Sequence, residues 1–278
     1  MHAPLAFETI DKLRFVLNRD IEVSLAPKEA IVEAINRYYG GTSSETESVD
    51  SMLQEFTDLR ASIRAYNRNR RLLRELYAIR RDEPWKLSAT ESYLLLRART
   101  RLPCEQHNLL LEQAIAGIRA RRRPPLDKPR VVFVGGFCEQ PPLEMLEAID
   151  DNCYVVDDDL LVGLRWITAD VPEAGDPVWA LAESFVERSD ASPVQHDERK
   201  TKEGYLMDMI RRSRADAAIV TAAKFCEPGL DEQVAWSKHL DEVGVQYLVL
   251  EFEEKMSSFE QMAMQLETFA ESLLFATA

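Results

Sequence analysis

Two cysteines stand where a thiolate could do chemistry. Cys138 lies in Gly135-Gly136-Phe137-Cys138-Glu139-Gln140-Pro141-Pro142, and Cys226 lies in Lys224-Phe225-Cys226-Glu227-Pro228. Each follows a short apolar run and precedes a helix start. A helix N-terminus favours the thiolate, which is the nucleophilic and iron-binding form of the side chain. The competing reading of either residue is a small buried hydrophobe. The triplet Asp157-Asp158-Asp159 ends another apolar run. Clustered carboxylates of this kind hold a hard cation, raise one another's pKa for proton transfer, or cap the next helix.

Other chemistries are excluded by spacing. There is no Cys-x-x-Cys pair among the four cysteines, Cys104, Cys138, Cys153 and Cys226, so a local four-thiolate site is absent and a disulfide framework is not expected. Gly135-Gly136 lacks the Gly-x-Gly-x-x-Gly spacing of a dinucleotide fingerprint, and no phosphate-binding Gly-Lys-Ser/Thr loop occurs. His2, His107, His196 and His239 share no ligand spacing and read as surface or structural residues.

The elements that must position these groups follow from pattern. Val131–Val134, Tyr154–Val156, Ala217–Val220 and Val245–Leu250 are short apolar runs with β-branched residues, and helical patterns separate them. Strands apolar on both faces and alternating with helices define a parallel α/β sheet flanked by helices, here four-stranded. Ligands of such sheets bind beyond the carboxyl ends of the strands. The expectation is therefore that Cys138, Glu139 and Cys226 face one cleft there, with Asp157, Asp158 and Asp159 on its rim. With the first and third strands adjacent, strand spacing puts the two turns within roughly 10–15 Å. Before the sheet, residues 51–128 form a helical layer. One helix runs from about Ser51 to Arg81, a second is capped by Ser88 with Glu91 three residues on, and a third spans about 103–120. Residues 1–50 read as a small α-rich unit with a helix opening at Pro27, then a polar linker over 41–49. The remaining domain is 129–278.

Charge is distributed unevenly along the 278 residues. The net charge is −14, yet residues 59–130 carry 18 basic and 7 acidic side chains, and residues 131–278 carry 11 basic and 30 acidic. A chain of this balance repels phosphate overall, which excludes nucleic acid as its main partner. The basic middle is matched to the acidic part that follows it, to another subunit, to a phosphorylated ligand, or to solvent. Hydrophobic residues make up 46% of the chain and charged ones 29%, which excludes wholesale disorder. No apolar run is long enough to span a membrane, and Met1-His2-Ala3-Pro4 does not open a signal peptide, so the expected compartment is the cytoplasm.

Several motifs in order carry a resemblance. The Gly135–Leu143 segment, Cys153-Tyr154-Val155-Val156-Asp157-Asp158-Asp159 and Lys224-Phe225-Cys226-Glu227-Pro228 resemble benzoyl-CoA reductase members of the 2-hydroxyacyl-CoA dehydratase family, with glutamate at 227 where that family has aspartate. Tyr66-Asn67, Leu72–Tyr77 and Leu102–Asn108 are similar to its helical connector. The resemblance covers about 59–278. It implies ATP-driven reduction of an aromatic acyl-CoA by two homologous subunits, each with a [4Fe–4S] cluster beside an acyl-CoA pocket. A separate ATP-hydrolysing component supplies the electrons. It makes Cys226 a cluster ligand; Cys138, Glu139, Asp157 and Asp158, at the strand ends, are the candidate residues of the substrate pocket. The family's other ligating cysteines belong to an N-terminal domain, and no cysteine precedes Cys104 here. The ligand set is thus incomplete, and the resemblance implies a subunit without its cluster-binding domain, inactive by itself. In its place, residues 1–58, with Ala34–Gly40 and Ser48–Leu53, resemble the N-terminal domain of type II secretion and type IV pilus assembly ATPases. Two alternatives stand beside the reductase: a 2-hydroxyacyl-CoA dehydratase subunit, and a non-catalytic fusion or binding module.

Overall fold

Side-chain alternation along one strand sets the frame. In β1 (Arg130–Gly135), Val131 and Phe133 pack to one face of a sheet while Val132 and Val134 pack to the other, and all four are fully buried. The computed structural model describes Ala30 and residues 45–135, 140–160, 169–189, 197–253, 256 and 258–277. The chain divides into two compact units, Met1–Glu55 and Phe56–Ala278. The expected helix after Pro27 lies, apart from Ala30, outside the described residues.

Within the described residues the order is α1 (Glu45–Asp82), a 3₁₀ turn (Pro84–Lys86), α2 (Ala89–Ala98), α3 (Cys104–Ala120), β1, α4 (Leu143–Asn152), β2 (Tyr154–Asp158), α5 (Pro177–Arg188), α6 (Lys202–Ser213), β3 (Ala217–Ala223), α7 (Glu227–Val243), β4 (Tyr247–Phe252) and α8 (Glu260–Thr277). All four strands are parallel, in the order β2-β1-β3-β4. The expected four-stranded parallel sheet is therefore present. Helices cover both faces. Met145, Leu146 and Ile149 of α4 and Met262, Leu266 and Leu273 of α8 pack with Val131 and Phe133. Leu206 and Met209 of α6 and Trp236 and Leu240 of α7 pack with Val132 and Val134.

Two boundaries differ from the sequence reading. Helix α1 begins at Glu45, inside the segment read as a linker, where acidic residues suit a helix N-terminus. Strand β4 starts at Tyr247 rather than Val245. Gly244 adopts a left-handed conformation, φ +72°, and the Val245 amide donates to the Leu240 carbonyl, so Val245 closes α7 instead of opening the strand. The predicted capping box is present: the Glu91 amide donates to Ser88 Oγ at 3.1 Å, and the Ser88 amide donates to Glu91 Oε2 at 3.3 Å.

The helical layer has its own core of Leu73, Leu76, Leu87, Leu96, Leu111 and Ile115. Asn69, Leu73, Leu76 and Arg80 form one buried stripe of α1 at helical spacing, polar at both ends. At one end, Asn69 Nδ2 donates to Asn108 Oδ1 and to His107 Nδ1, both at 2.8 Å. His107 Nε2 then donates to the Leu95 carbonyl at 2.9 Å, which makes the ring neutral, and burial lowers its pKa. His107 is structural, as expected.

At the other end Arg80 joins the layer to the sheet. Strand β2 is an edge strand, and its Val155 carbonyl accepts from Arg80 Nε at 3.1 Å and Nη2 at 3.0 Å. Arg80 Nη1 pairs with Asp158, and both side chains are buried, at 1% and 3% exposure. Tyr77 donates its phenolic proton to the same carboxylate at 2.7 Å. Burial acts to lower the Arg80 pKa, but Asp158 outweighs it and the net shift is upward; burial holds the Tyr77 phenol well above its usual range. Arg71 and Arg74 pair with Asp170, and Arg81 with Asp157. Four arginines of the basic middle are thus paired with carboxylates of the acidic part that follows.

Asp158→Asn should therefore cost about 3–5 kcal/mol in urea unfolding, because it leaves the Arg80 charge buried without its counter-ion. Arg211→Ala, which removes an exposed i,i+3 pair with Asp208, should cost about 0–1 kcal/mol. Equal losses in the two variants would contradict the assignment.

Candidate functional site: the carboxyl edge between β1 and β3

Helix α4, which follows β1, packs on one face of the sheet, and α7, which follows β3, packs on the other. Because β1 and β3 are neighbours and are followed by helices on opposite faces, the carboxyl edge between them is the switch point at which open α/β sheets have their ligand crevice. The site is built from these two ends.

Close backbone approach fixes the first. Gly135 pairs with Thr221, has φ +110°, and a Cβ on it would stand 1.9 Å from the Thr221 carbonyl oxygen. Only glycine fits that position. The Gly135 amide donates to Asp159 Oδ1 at 2.8 Å, and the Asp159 amide donates to the Phe133 carbonyl at 3.2 Å, so Asp159 ties the exit of β1 to the end of β2. Cys138 and Glu139 follow this point and lie outside the described residues, which leaves the shared cleft of Cys138 and Cys226 an expectation.

Strain marks the second. After β3 the Lys224 amide donates to the Phe252 carbonyl at 2.8 Å, and the Cys226 amide donates to the Ala223 carbonyl at 3.1 Å. Between them Phe225 adopts φ +65°, a left-handed conformation that is unfavourable for a bulky residue, and its ring is 91% exposed. No burial compensates this strain, which is the pattern of a residue kept for contact rather than for packing. Cys226 is the N-cap residue of α7 and is only 5% exposed. Its Sγ packs on Gly229, where a Cβ would approach to 3.0 Å. Gly229 escaped the sequence reading; a small residue three positions after the cysteine, in the first turn of the helix, is the signal that marks it.

The three aspartates are buried. Asp157 is fully buried and accepts from Arg212 Nε at 3.0 Å and Arg81 Nη1 at 3.3 Å. Asp158 binds Arg80 and Tyr77 and accepts from the Leu160 amide at 3.2 Å. Asp157 and Asp158 are thus held in interior ion pairs, and Asp159 accepts from the Gly135 amide. Among the described residues no group of three His, Cys, Asp or Glu side chains is arranged to hold a metal ion. A four-iron cluster takes four protein ligands. Cys153 lies at the amino end of β2, and Cys104 opens α3 in the helical layer, so neither can join Cys226 at the carboxyl edge. The described residues do not fit a [4Fe–4S] cluster on their own.

Comparison with known proteins adds to this geometry. The family described as 2-hydroxyglutaryl-CoA dehydratase, D-component, matches residues 53–273, and the MshEN domain matches residues 1–45. The chain is 36% identical over 220 residues to a benzoyl-CoA reductase subunit of Thauera aromatica, covering 77% of this chain and 56% of that protein. It is 30% identical over 253 residues to the beta subunit of lactoyl-CoA dehydratase of Anaerotignum propionicum, covering 89% and 67%. It is 26% identical over 216 residues to the beta subunit of (R)-2-hydroxyglutaryl-CoA dehydratase of Acidaminococcus fermentans, covering 76% and 56%. The chain therefore spans between about half and two thirds of the length of these relatives. Among the described residues no helix is long and apolar enough to cross a membrane.

Three outcomes follow from the site. Gly135→Ala should abolish folding or cost more than about 3 kcal/mol, and Thr221→Ala should not rescue it, because the clash is with the Thr221 backbone. Phe225→Gly should stabilise by about 0.5–1 kcal/mol, since left-handed strain of about 1–2 kcal/mol is relieved against the entropy of an added glycine; a destabilised variant would show that the ring packs. Cys153 has its pKa pushed up to about 12 by burial, so only roughly one thiol in ten thousand is ionised at pH 8. Peptide mapping after iodoacetamide treatment at that pH should find Cys153 unlabelled in the folded protein and labelled in urea.

Proposed function

The chain belongs to the 2-hydroxyglutaryl-CoA dehydratase D-component family, and on that premise we propose that it acts as one subunit of an acyl-CoA-converting enzyme of the benzoyl-CoA reductase type. In this reading the crevice between β1 and β3 receives the acyl thioester of an aromatic acyl-CoA. The observation that carries it is the convergence, at one switch point, of the close-packed Gly135 exit and the strained Lys224-Phe225-Cys226 turn. The exposed Phe225 ring supplies an apolar contact beside that crevice, of the kind an aromatic acyl group takes.

The chain's own residues bind and orient in this reading. Gly135 and Asp159 hold the end of β1, and the reading places Cys138 and Glu139, which come next in the sequence, at the acyl group. Asp157 and Asp158 act behind them, by fixing the end of β2 to α1. This reading puts Cys226, the N-cap residue of α7, at the crevice; no chemical step is assigned to a cluster, because the described residues do not provide for one. In this reading turnover requires a homologous partner subunit, which the subunit designations of the relatives support, and a separate ATP-hydrolysing component. The cytoplasm is the compartment that suits it.

A dehydratase subunit is the second reading, favoured by the 30% identity to the lactoyl-CoA dehydratase subunit across 89% of this chain. Calorimetric titration of the purified chain, kept anaerobic, separates the two. Benzoyl-CoA should bind in the micromolar to millimolar range of ordinary substrates, roughly tenfold or more tighter than free CoA. Tighter binding of lactoyl-CoA would favour the dehydratase. Equal affinity for benzoyl-CoA and CoA would overturn an acyl site and leave a binding module.

A further inference from the structure

The opposite end of the sheet carries a second concave site. At the amino end of β2 a cavity of about 320 Å³ opens between the 3₁₀ turn, the segment that precedes β1, and β2 itself. That volume lies in the range of small-molecule sites. Its floor is apolar, with Leu87 and Val155 buried beneath it. Trp85 and Tyr154 line it, and Arg123 and Lys128 supply its cations.

The electrostatics of this cavity are unbalanced. Asp150 also lines it, but its carboxylate is committed to the start of α2: it accepts from the amides of Ala89 at 2.7 Å and Thr90 at 2.9 Å, and from Thr90 Oγ1 at 2.8 Å. Lys128 is half-buried. Its ammonium donates to the Asp150 backbone carbonyl at 2.7 Å and lies 5.9 Å from the centre of the Tyr154 ring. Among the described residues no carboxylate lies within ion-pair distance of it. Arg123 is half-exposed and reaches Glu91 only at 3.7 Å, where Arg121 already holds that carboxylate at 2.7 Å. A bound anion would supply the Lys128 ammonium with the charged partner that the described residues do not.

We propose that this cavity binds a planar aromatic anion, with the ring against Trp85 and Tyr154 and the anionic group on Lys128 and Arg123. Aromatic walls accept a ring by stacking, and the two cations select its charge. The site is separate from the β1/β3 crevice, since it lies at the amino rather than the carboxyl end of the strands. Its failure therefore leaves the acyl-CoA reading standing, and the reverse also holds.

The test is calorimetric titration of the whole chain with AMP and with benzoate, two sources of a ring bearing an anion, against adenosine and ribose 5-phosphate as half-ligands. At least one of the first pair should saturate the protein with a Kd of about 1 mM or tighter, and both half-ligands should be roughly tenfold weaker. Arg123→Gln, at an exposed position that leaves the fold intact, and Trp85→Leu should each weaken binding by roughly tenfold while the melting temperature holds. Saturating benzoyl-CoA should not displace the probe. Absence of saturable binding, binding indifferent to both substitutions, or displacement by benzoyl-CoA would each overturn a separate site.

Discussion

A buried charge is the deepest tie between this protein's helical layer and its sheet. Arg80 leaves the helical stripe of α1, enters the interior, and meets three acceptors there: the Val155 carbonyl on the free edge of β2, the Asp158 carboxylate, and Ser92 Oγ at 3.3 Å on α2. A parallel edge strand with open carbonyls invites unwanted pairing, and a guanidinium with five donors satisfies that edge without adding a strand. The cost of burying Arg80 is tolerable only because Asp158 is buried with it. The neighbouring residue, Asp157, repeats the arrangement on the other side of the strand, through Arg81 and Arg212. The end of β2 is thus clamped from two helices, and the exit of β1 is tied to it through Asp159. The geometry of the carboxyl edge depends on that chain of contacts.

Much of this was legible in the sequence. Apolar runs such as Val131–Val134 are buried on both faces, and that requirement already dictates a parallel sheet covered by helices. Ser88 and Glu91 announced their helix because a capping box is local chemistry. The role of the aspartate triplet was less legible. Three carboxylates at a strand end look the same whether they wait for a cation or already hold arginines, and the partners, Arg80, Arg81 and Arg212, lie 55 to 78 residues away in the chain. The charge asymmetry was the available clue: a basic helical segment followed by an acidic α/β segment is what such pairing requires. The start of β4 is not legible, because Val245 has the composition of a strand residue, yet the left-handed Gly244 before it commits its amide to closing α7.

At the site itself, composition identified the turns and geometry supplied their meaning. Lys224-Phe225-Cys226 is conspicuous as a motif, but only the backbone shows that Phe225 is held in a strained conformation with its ring in solvent, while the thiol beside it is packed against Gly229. The same contrast separates the cysteines. Cys153 is a packing group whose ionisation burial suppresses, at the edge of the sheet opposite Cys226. A sequence can say that a cysteine follows a strand; it does not say which cysteines share an edge until strand order and direction are known.

The proposed acyl-CoA chemistry stands or falls with the carboxyl edge between β1 and β3. Hydrogen–deuterium exchange with and without benzoyl-CoA probes that edge without intermediaries, because amide protection reports location rather than affinity alone. The expected result is slowed exchange in peptides covering 133–140 and 221–230, with the amino-end segments 84–88 and 123–128 unchanged. Protection confined to those amino-end segments, or spread over α1 and α3 without either turn, would contradict a ligand site at the carboxyl edge.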